Sequence, residues 1–231
     1  MKEMLTQSVF FGVALSLVSY HIGMLIKKKV RVAIANPLLI SVVIVIAVLL
    51  TLDVDYDTYY GSAKYISFFL TPATVSLAIP LYRRIELIKK YPKVVFGGIA
   101  TGVLTAMVSI FLMSLAFGLN NEQYVTLLPK SITNAIGIGV SEKMGGIPTI
   151  TVVSISITGI LGNIMAEAAC KMFKIEEPMA KGLAIGTSSH AMGTAKAMEM
   201  GEVEGAMSSL SIVVAGIMTV IAVSVFAGFI Q

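Results

Sequence analysis

Six apolar segments constrain this chain more than any other feature. Thr6–Ile26, Asn36–Leu52, Tyr65–Tyr82, Val94–Phe117, Ile147–Ala169 and Gly205–Ile230 run almost free of charge. About 20 mostly apolar residues suffice for a helix to cross a bilayer core. Only 13% of the 231 residues are charged and 56% are hydrophobic, whereas a soluble domain carries about 25% charge. A soluble fold of this size buries only part of its surface, so lipid is the solvent for most of the chain. That excludes a soluble enzyme, a nucleic-acid-binding module and a disordered tail. The first segment ends in Lys27-Lys28-Lys29 rather than a small-residue cleavage site, and it reads as an uncleaved helix.

The loops give an orientation. Lys27, Lys28, Lys29 and Arg31 follow the first segment, and Arg83, Arg84, Lys89, Lys90 and Lys93 follow the third. The loop between carries Asp53, Asp55 and Asp57, and the nearly neutral stretch Asn120–Thr126 follows the fourth segment. Cytoplasmic loops carry an excess of Lys and Arg. The basic loops are therefore expected to be cytoplasmic and the N-terminus external. The single cysteine, Cys170, has no partner for an internal disulfide and sits beside Ala168 and Ala169; it reads as an inert helix residue.

Two further stretches fit neither loop nor span. Leu127–Gly146 (LLPKSITNAIGIGVSEKMGG) and Gly182–Gly201 (GLAIGTSSHAMGTAKAMEMG) are too apolar for solvated loops, yet rich in Gly, Ser and Thr with Lys and His inside. Irregular backbone at membrane depth persists only where protein buries it or a wet cavity lines it. Interrupted hydrophobic segments in matching positions point to a transporter binding site. Thr133–Gly137 aligns with Ser189–Gly193, and Gly145 with Gly201 at the same offset. Each stretch is followed by a long apolar helix, so residues 127–170 and 182–230 are candidate repeat units within one integral membrane domain, 1–231. If the first stretch dips in from outside and the second from inside, both termini are external and Lys171, Lys174 and Lys181 are cytoplasmic. Two elements entering from opposite faces then meet near the midplane, as in inverted-repeat carriers. The alternative lets both stretches cross fully, giving eight spans.

The expected architecture is thus an all-α polytopic membrane protein with about six full transmembrane helices and two re-entrant or broken segments. Breaks are expected at Pro72 and Pro80, since proline inside a span removes a backbone hydrogen bond. They are also expected at Gly137, Gly139, Gly186 and Gly193, where glycine gives backbone freedom.

The polar residues of the two stretches suit a small carboxylate anion. Lys130 supplies a cation, and Ser131, Thr133, Asn134, Thr187, Ser188, Ser189 and Thr194 supply hydroxyls and an amide. Freed helix N-termini add outward N–H groups. His190 either couples anion movement to protons or serves as a neutral, hydrogen-bonded packing residue. Asn163 and Glu167 lie about one turn apart on one helix face, Asn163 placed to bond a neighbouring helix. Lys196 and Glu199, like Glu142 and Lys143, are expected at segment ends, solvated or paired. No nucleophile elbow, paired cysteine, metal-ligand spacing or phosphate-cradling loop is present. The chain is accordingly expected not to be an enzyme and to carry neither cofactor nor metal.

The blocks Pro72–Tyr82 (PATVSLAIPLY), Leu127–Pro148 (LLPKSITNAIGIGVSEKMGGIP) and Gly182–Ala197 (GLAIGTSSHAMGTAKA) resemble the LrgB/CidB family of bacterial membrane proteins, nearly over the whole chain. One departure is Asn134-Ala135, where many members carry proline. The resemblance implies a multi-pass inner-membrane protein made with a small LrgA/CidA-like partner, and a homo-oligomer of two or more copies is expected. Members of the family are described as holin- or antiholin-like modulators of murein hydrolase activity and lysis. A related plant plastid protein exchanges glycolate and glycerate, and bacterial pairs are linked to pyruvate uptake. Two functions follow as expectations: a secondary transporter of small monocarboxylates, or a holin-like regulator of cell lysis.

Overall fold

The structure, a computed structural model, describes residues 8, 10–30, 35–69, 72, 75–76, 78–83 and 85–230. Among them there is helix and no strand, and the chain is an all-α polytopic membrane protein. Pro92–Phe117, Pro148–Met172 and Glu202–Phe229 are long and apolar enough to cross a bilayer, and Pro37–Leu52 is a shorter apolar helix. Two compact units divide the chain, Met1–Ser76 and Leu77–Gln231.

In the first unit, α1 (Phe11–Lys29), α2 (Pro37–Leu52) and α3 (Tyr56–Ser67) pack together. Asn36 caps α2, its Oδ1 accepting from Leu38 N at 2.8 Å, with Pro37 at the first helical position. Asp55 caps α3, accepting from Thr58 N at 3.4 Å. α1 meets α3 at Gly12, whose N–H donates to Ser62 Oγ at 2.7 Å, and at the Ser16–Tyr59 hydroxyl pair, 2.7 Å apart. The expected acidic loop is short, because Asp55 starts a helix that already contains Asp57.

Tyr65–Tyr82 is not one continuous helix: α3 ends at Ser67, and α4 spans Ala78–Arg83. Pro80, expected as a break, lies within the helical residues of α4. Thr71, Ala73, Thr74 and Leu77, around the break expected at Pro72, lie outside the described residues.

The second unit continues with α5 (Ile85–Lys90), α6 (Pro92–Phe117), α7 (Asn121–Leu127), α8 (Asn134–Lys143), α9 (Pro148–Met172), α10 (Pro178–Met200) and α11 (Glu202–Phe226). α6 buries one stripe, Val95, Ile99, Val103, Met107 and Ile110, in a core shared with Ala206, Met207, Ala215 and Val223 of α11. Burial of apolar stripes like this is what holds helices together when one face must meet another. Asn120–Thr126, expected as a neutral loop, is mostly helix. Asn120 accepts from Gln123 N at 2.9 Å and Gln123 Oε1 accepts from Asn120 N at 3.1 Å, a reciprocal cap that starts α7.

α10 doubles back on itself. Ser189 (φ −134°, ψ 15°) and His190 (φ 41°, ψ −139°) leave helical geometry, separating residues 178–188 from 191–200. A Cβ built on Gly193 would stand 3.1 Å from the Ile185 carbonyl oxygen, although residues eight apart in a straight helix are about 12 Å apart. α11 runs along both halves. Beside the first half it is parallel: a Cβ on Gly182 would stand 2.7 Å from Met207 Cβ, and one on Gly186 2.7 Å from Ser208 Cα. Beside the second it is antiparallel, with Thr194 and Ser208 hydroxyls 2.7 Å apart and Met198 over Gly205.

α7 and α8 form a second hairpin, turning through residues 128–133. α8 then runs antiparallel to α9, with Gly137 against Ile155 and Ser141 Oγ accepting from Thr151 Oγ1 at 2.8 Å. The base of this hairpin sits at the start of α9. The base of the α10 hairpin sits at its end, where Lys196 pairs with Glu167 at 3.5 Å. Gly137 and Gly139 lie inside α8, and Gly186 and Gly193 inside the two halves of α10. None of the four is a break. Gly137, Gly186 and Gly193 instead allow close helix approach, a use small residues have between membrane helices.

Candidate functional site

Both hairpin turns arrive at the middle of α9. His190 Nε2 donates to the Ile155 carbonyl at 3.1 Å. A Cβ on Gly159 would stand 2.7 Å from His190 Cε1, and Ser189 lies directly over Gly162. Asn163 Nδ2 donates to the Met192 carbonyl at 2.7 Å, the cross-helix bond expected of it. Thr194 Oγ1 donates to the His190 carbonyl at 2.9 Å. His190 holds a left-handed backbone despite its Cβ, a conformation that costs about 1–3 kcal/mol and survives only when the surroundings over-determine it. Three bonds and two glycines do so here.

Two hollows flank the first half of α10. One, of about 770 Å³, lies between α6, α10 and the turn before α8; Thr101, Thr105, Lys130, Ser131, Thr187 and Ser188 contribute its polar groups. The other, of about 420 Å³, lies between α9 and α10 and is bordered by Lys130, Gly162, Cys170, Ala184, Ser188 and Ser189. Lys130 and Ser188 border both.

Lys130 donates to Ser131 Oγ at 3.2 Å. Among the described residues it makes no ion pair with an acid. Thr187 Oγ1 is buried and makes no hydrogen bond, and Gly102 leaves the space its methyl group fills. A buried hydroxyl without a partner is uncommon and calls for one. The hollow therefore offers an ammonium group and two serine hydroxyls, with Thr101, Thr105 and Ser109 on the α6 side and Thr187 Oγ1 buried in its wall. Such a set is suited to one negative charge and one or two neighbouring oxygens.

The structure brings together Lys130, Ser131, Thr187 and Ser188, with Ser189 on the adjoining hollow. It does not bring in the rest. Thr133 precedes α8 without a side-chain cap bond, Asn134 is exposed, and neither borders the two hollows. His190 and Thr194 are buried behind the turn, bonded to Ile155 and Ser208. Thr101, Thr105 and Ser109 of α6 border the larger hollow and were hidden in an apolar span, although their four-residue spacing puts them on one face.

The sequence profile of the LrgB-like family matches residues 16–229. The chain is 36% identical over 226 residues to proteins named "Antiholin-like protein LrgB" from Bacillus cereus strain B4264, Bacillus cereus strain AH187 and Bacillus anthracis strain A0248, covering 97% of this chain and 98% of each relative. No solved structure matches the chain.

Proposed function

The chain belongs to the LrgB-like family, and we propose that it is a secondary transporter of small monocarboxylates of the pyruvate, glycolate or glycerate type. The observation that carries this reading is Lys130, a cation with no acid partner among the described residues, where two opposed hairpins meet. Its ammonium group would attract the carboxylate, and the Ser131 and Ser188 hydroxyls would take the neighbouring oxygen. His190 braces the turn through its Nε2–H bond to Ile155, and a coupling proton would be taken up at Nδ1 with that bond kept.

The reading includes two repeat units, 127–170 and 182–230, each a hairpin followed by a long helix. It also places the protein in a bacterial inner membrane, with both termini external and Lys171, Lys174 and Lys181 cytoplasmic. A small LrgA/CidA-like membrane protein and further copies of this chain are the proposed partners.

The name of the relatives favours a second reading, a holin- or antiholin-like modulator of murein hydrolase export and lysis. The two differ in solution behaviour. Purified protein in liposomes, alone and with its small partner, is given labelled pyruvate or glycolate. A carrier shows saturable uptake that Lys130→Ala and Ser188→Ala reduce; a lesion-forming protein passes unrelated solutes without saturation, and that result replaces the first reading with the second.

A further inference from the structure

A third hollow, of about 540 Å³, lies at the base of the α10 hairpin and is lined by charge: Lys171, Lys174, Lys181 and Lys196 against Glu167, Glu176, Glu199 and Glu204. Lys196 stands between Glu167 and Glu199, at 3.5 and 3.4 Å, and Glu167 also pairs with Lys171 at 3.1 Å. This vestibule adjoins the inner hollows. Ile175 borders all three, and Cys170 borders the vestibule and the 420 Å³ hollow. Lys130 stands at the inner end of both inner hollows, reaching them from the opposite hairpin.

The other end of the unit is built differently. Thr126, Ser141 and Thr151 are 1%, 0% and 0% exposed. Thr151 Oγ1 lies 2.8 Å from both the Thr126 carbonyl oxygen and Ser141 Oγ, and Ile147 N donates to Thr126 Oγ1 at 2.8 Å. A Cβ on Gly146 would press on Ser141 Oγ at 2.7 Å. Tyr124, Val125, Leu128 and Ile132 fill the surroundings at no more than 2% exposure. Water competes readily for the exposed ion pairs of the vestibule and has no access to these buried hydroxyls. Between the two ends, the long sides of the inner hollows present apolar side chains such as Met113, Leu161 and Met165, which a hydrated ion does not cross.

We propose that the hollow at Lys130 opens to water at one end only, through the charged vestibule, and that the Thr126–Ser141–Thr151 hydroxyl cluster is the seal at the other. The proposal rests on the carrier reading for what passes through, and on geometry alone for the one-sided opening. The test uses the chain's single cysteine. In a Cys170→Ala background, Ala184→Cys places a thiol on an exposed position bordering both inner hollows. Lys174→Cys and Glu142→Cys mark the vestibule end and the sealed end. A charged, membrane-impermeant methanethiosulfonate is applied to one side of sealed vesicles.

The expected result is that Ala184→Cys reacts from the side that labels Lys174→Cys faster, by about tenfold or more, than from the side that labels Glu142→Cys. Adding Thr151→Val raises labelling from the Glu142 side. Equal rates from both sides, or faster labelling from the Glu142 side, overturns the proposal. Labelling is read without any uptake assay, so one-sided access found alongside absent uptake would count against the carrier reading alone.

Discussion

Ser189, at the turn of α10, lies so close over Gly162 of α9 that a Cβ on that glycine would take the space of the serine side chain. The fit fixes how deep the hairpin enters. Gly162→Ala is therefore expected to push the turn away from α9, with a loss of roughly 1–3 kcal/mol of stability, the usual cost of overpacking. Thermal unfolding in detergent measures it. The double change Gly162→Ala/Ser189→Gly should recover most of the loss, and failure to recover it would show that the cost does not come from this contact.

His190 gives an inverted glycine effect. In an ordinary helix glycine is about 1 kcal/mol worse than alanine. At φ 41° the order should reverse, because both replacements lose the Ile155 bond but only alanine keeps the backbone strain. His190→Gly is expected to unfold at a higher temperature than His190→Ala. The same order as in a helix interior would place the break elsewhere.

Thr151 donates into a cluster that water does not reach. Thr151→Val keeps the shape and strips the hydroxyl, leaving Thr126 O without its side-chain donor and Ser141 Oγ without its neighbour; about 1–3 kcal/mol is the expected cost of such orphaned groups. Thr151→Ser keeps the donor and should cost less. Paired denaturation curves for the two variants decide it.

Lys130 is expected to separate function from stability. A partly buried cation with no acid partner among the described residues costs solvation free energy. Lys130→Met should therefore leave unfolding temperature unchanged or raised while abolishing saturable uptake of labelled pyruvate. A marked drop in unfolding temperature would make Lys130 a structural residue instead.

The long helices are legible in sequence because lipid demands an uninterrupted apolar run. Val94–Phe117 and Ile147–Ala169 fall within a few residues of α6 and α9 for that reason. The hairpins show only as polar stretches, and their turning points are hidden. Gly186 and Gly193 look like breakers yet serve close packing, whereas the actual turn falls on Ser189 and His190, which carry no turn signature. The Asn120–Gln123 cap is written in the sequence, but a seven-residue helix is too short for periodicity to announce. In the candidate site, Lys130, Ser131, Thr187 and Ser188 stand out because charge and hydroxyls are scarce in this chain. Thr101 and Thr105 do not, because each returns its hydroxyl to its own helix, at 2.8 and 2.7 Å, and passes as an ordinary span residue. Thr133 and Asn134 fall outside the hollows; they sit at the cap and first residue of α8, beyond the turn that carries Lys130 and Ser131.

The glycine seam between α10 and α11 has a mechanical consequence. Gly182, Gly186 and Gly205 bring the hairpin and α11 into contact at backbone distance, so they behave as one stiff piece. At its far end the same helix accepts a hydrogen bond at Phe226 O from Tyr124 of the other hairpin, 3.0 Å away. A push on the vestibule hairpin thus travels down a rod of about 37 Å into the seal, and neither end of the unit can shift without the other feeling it.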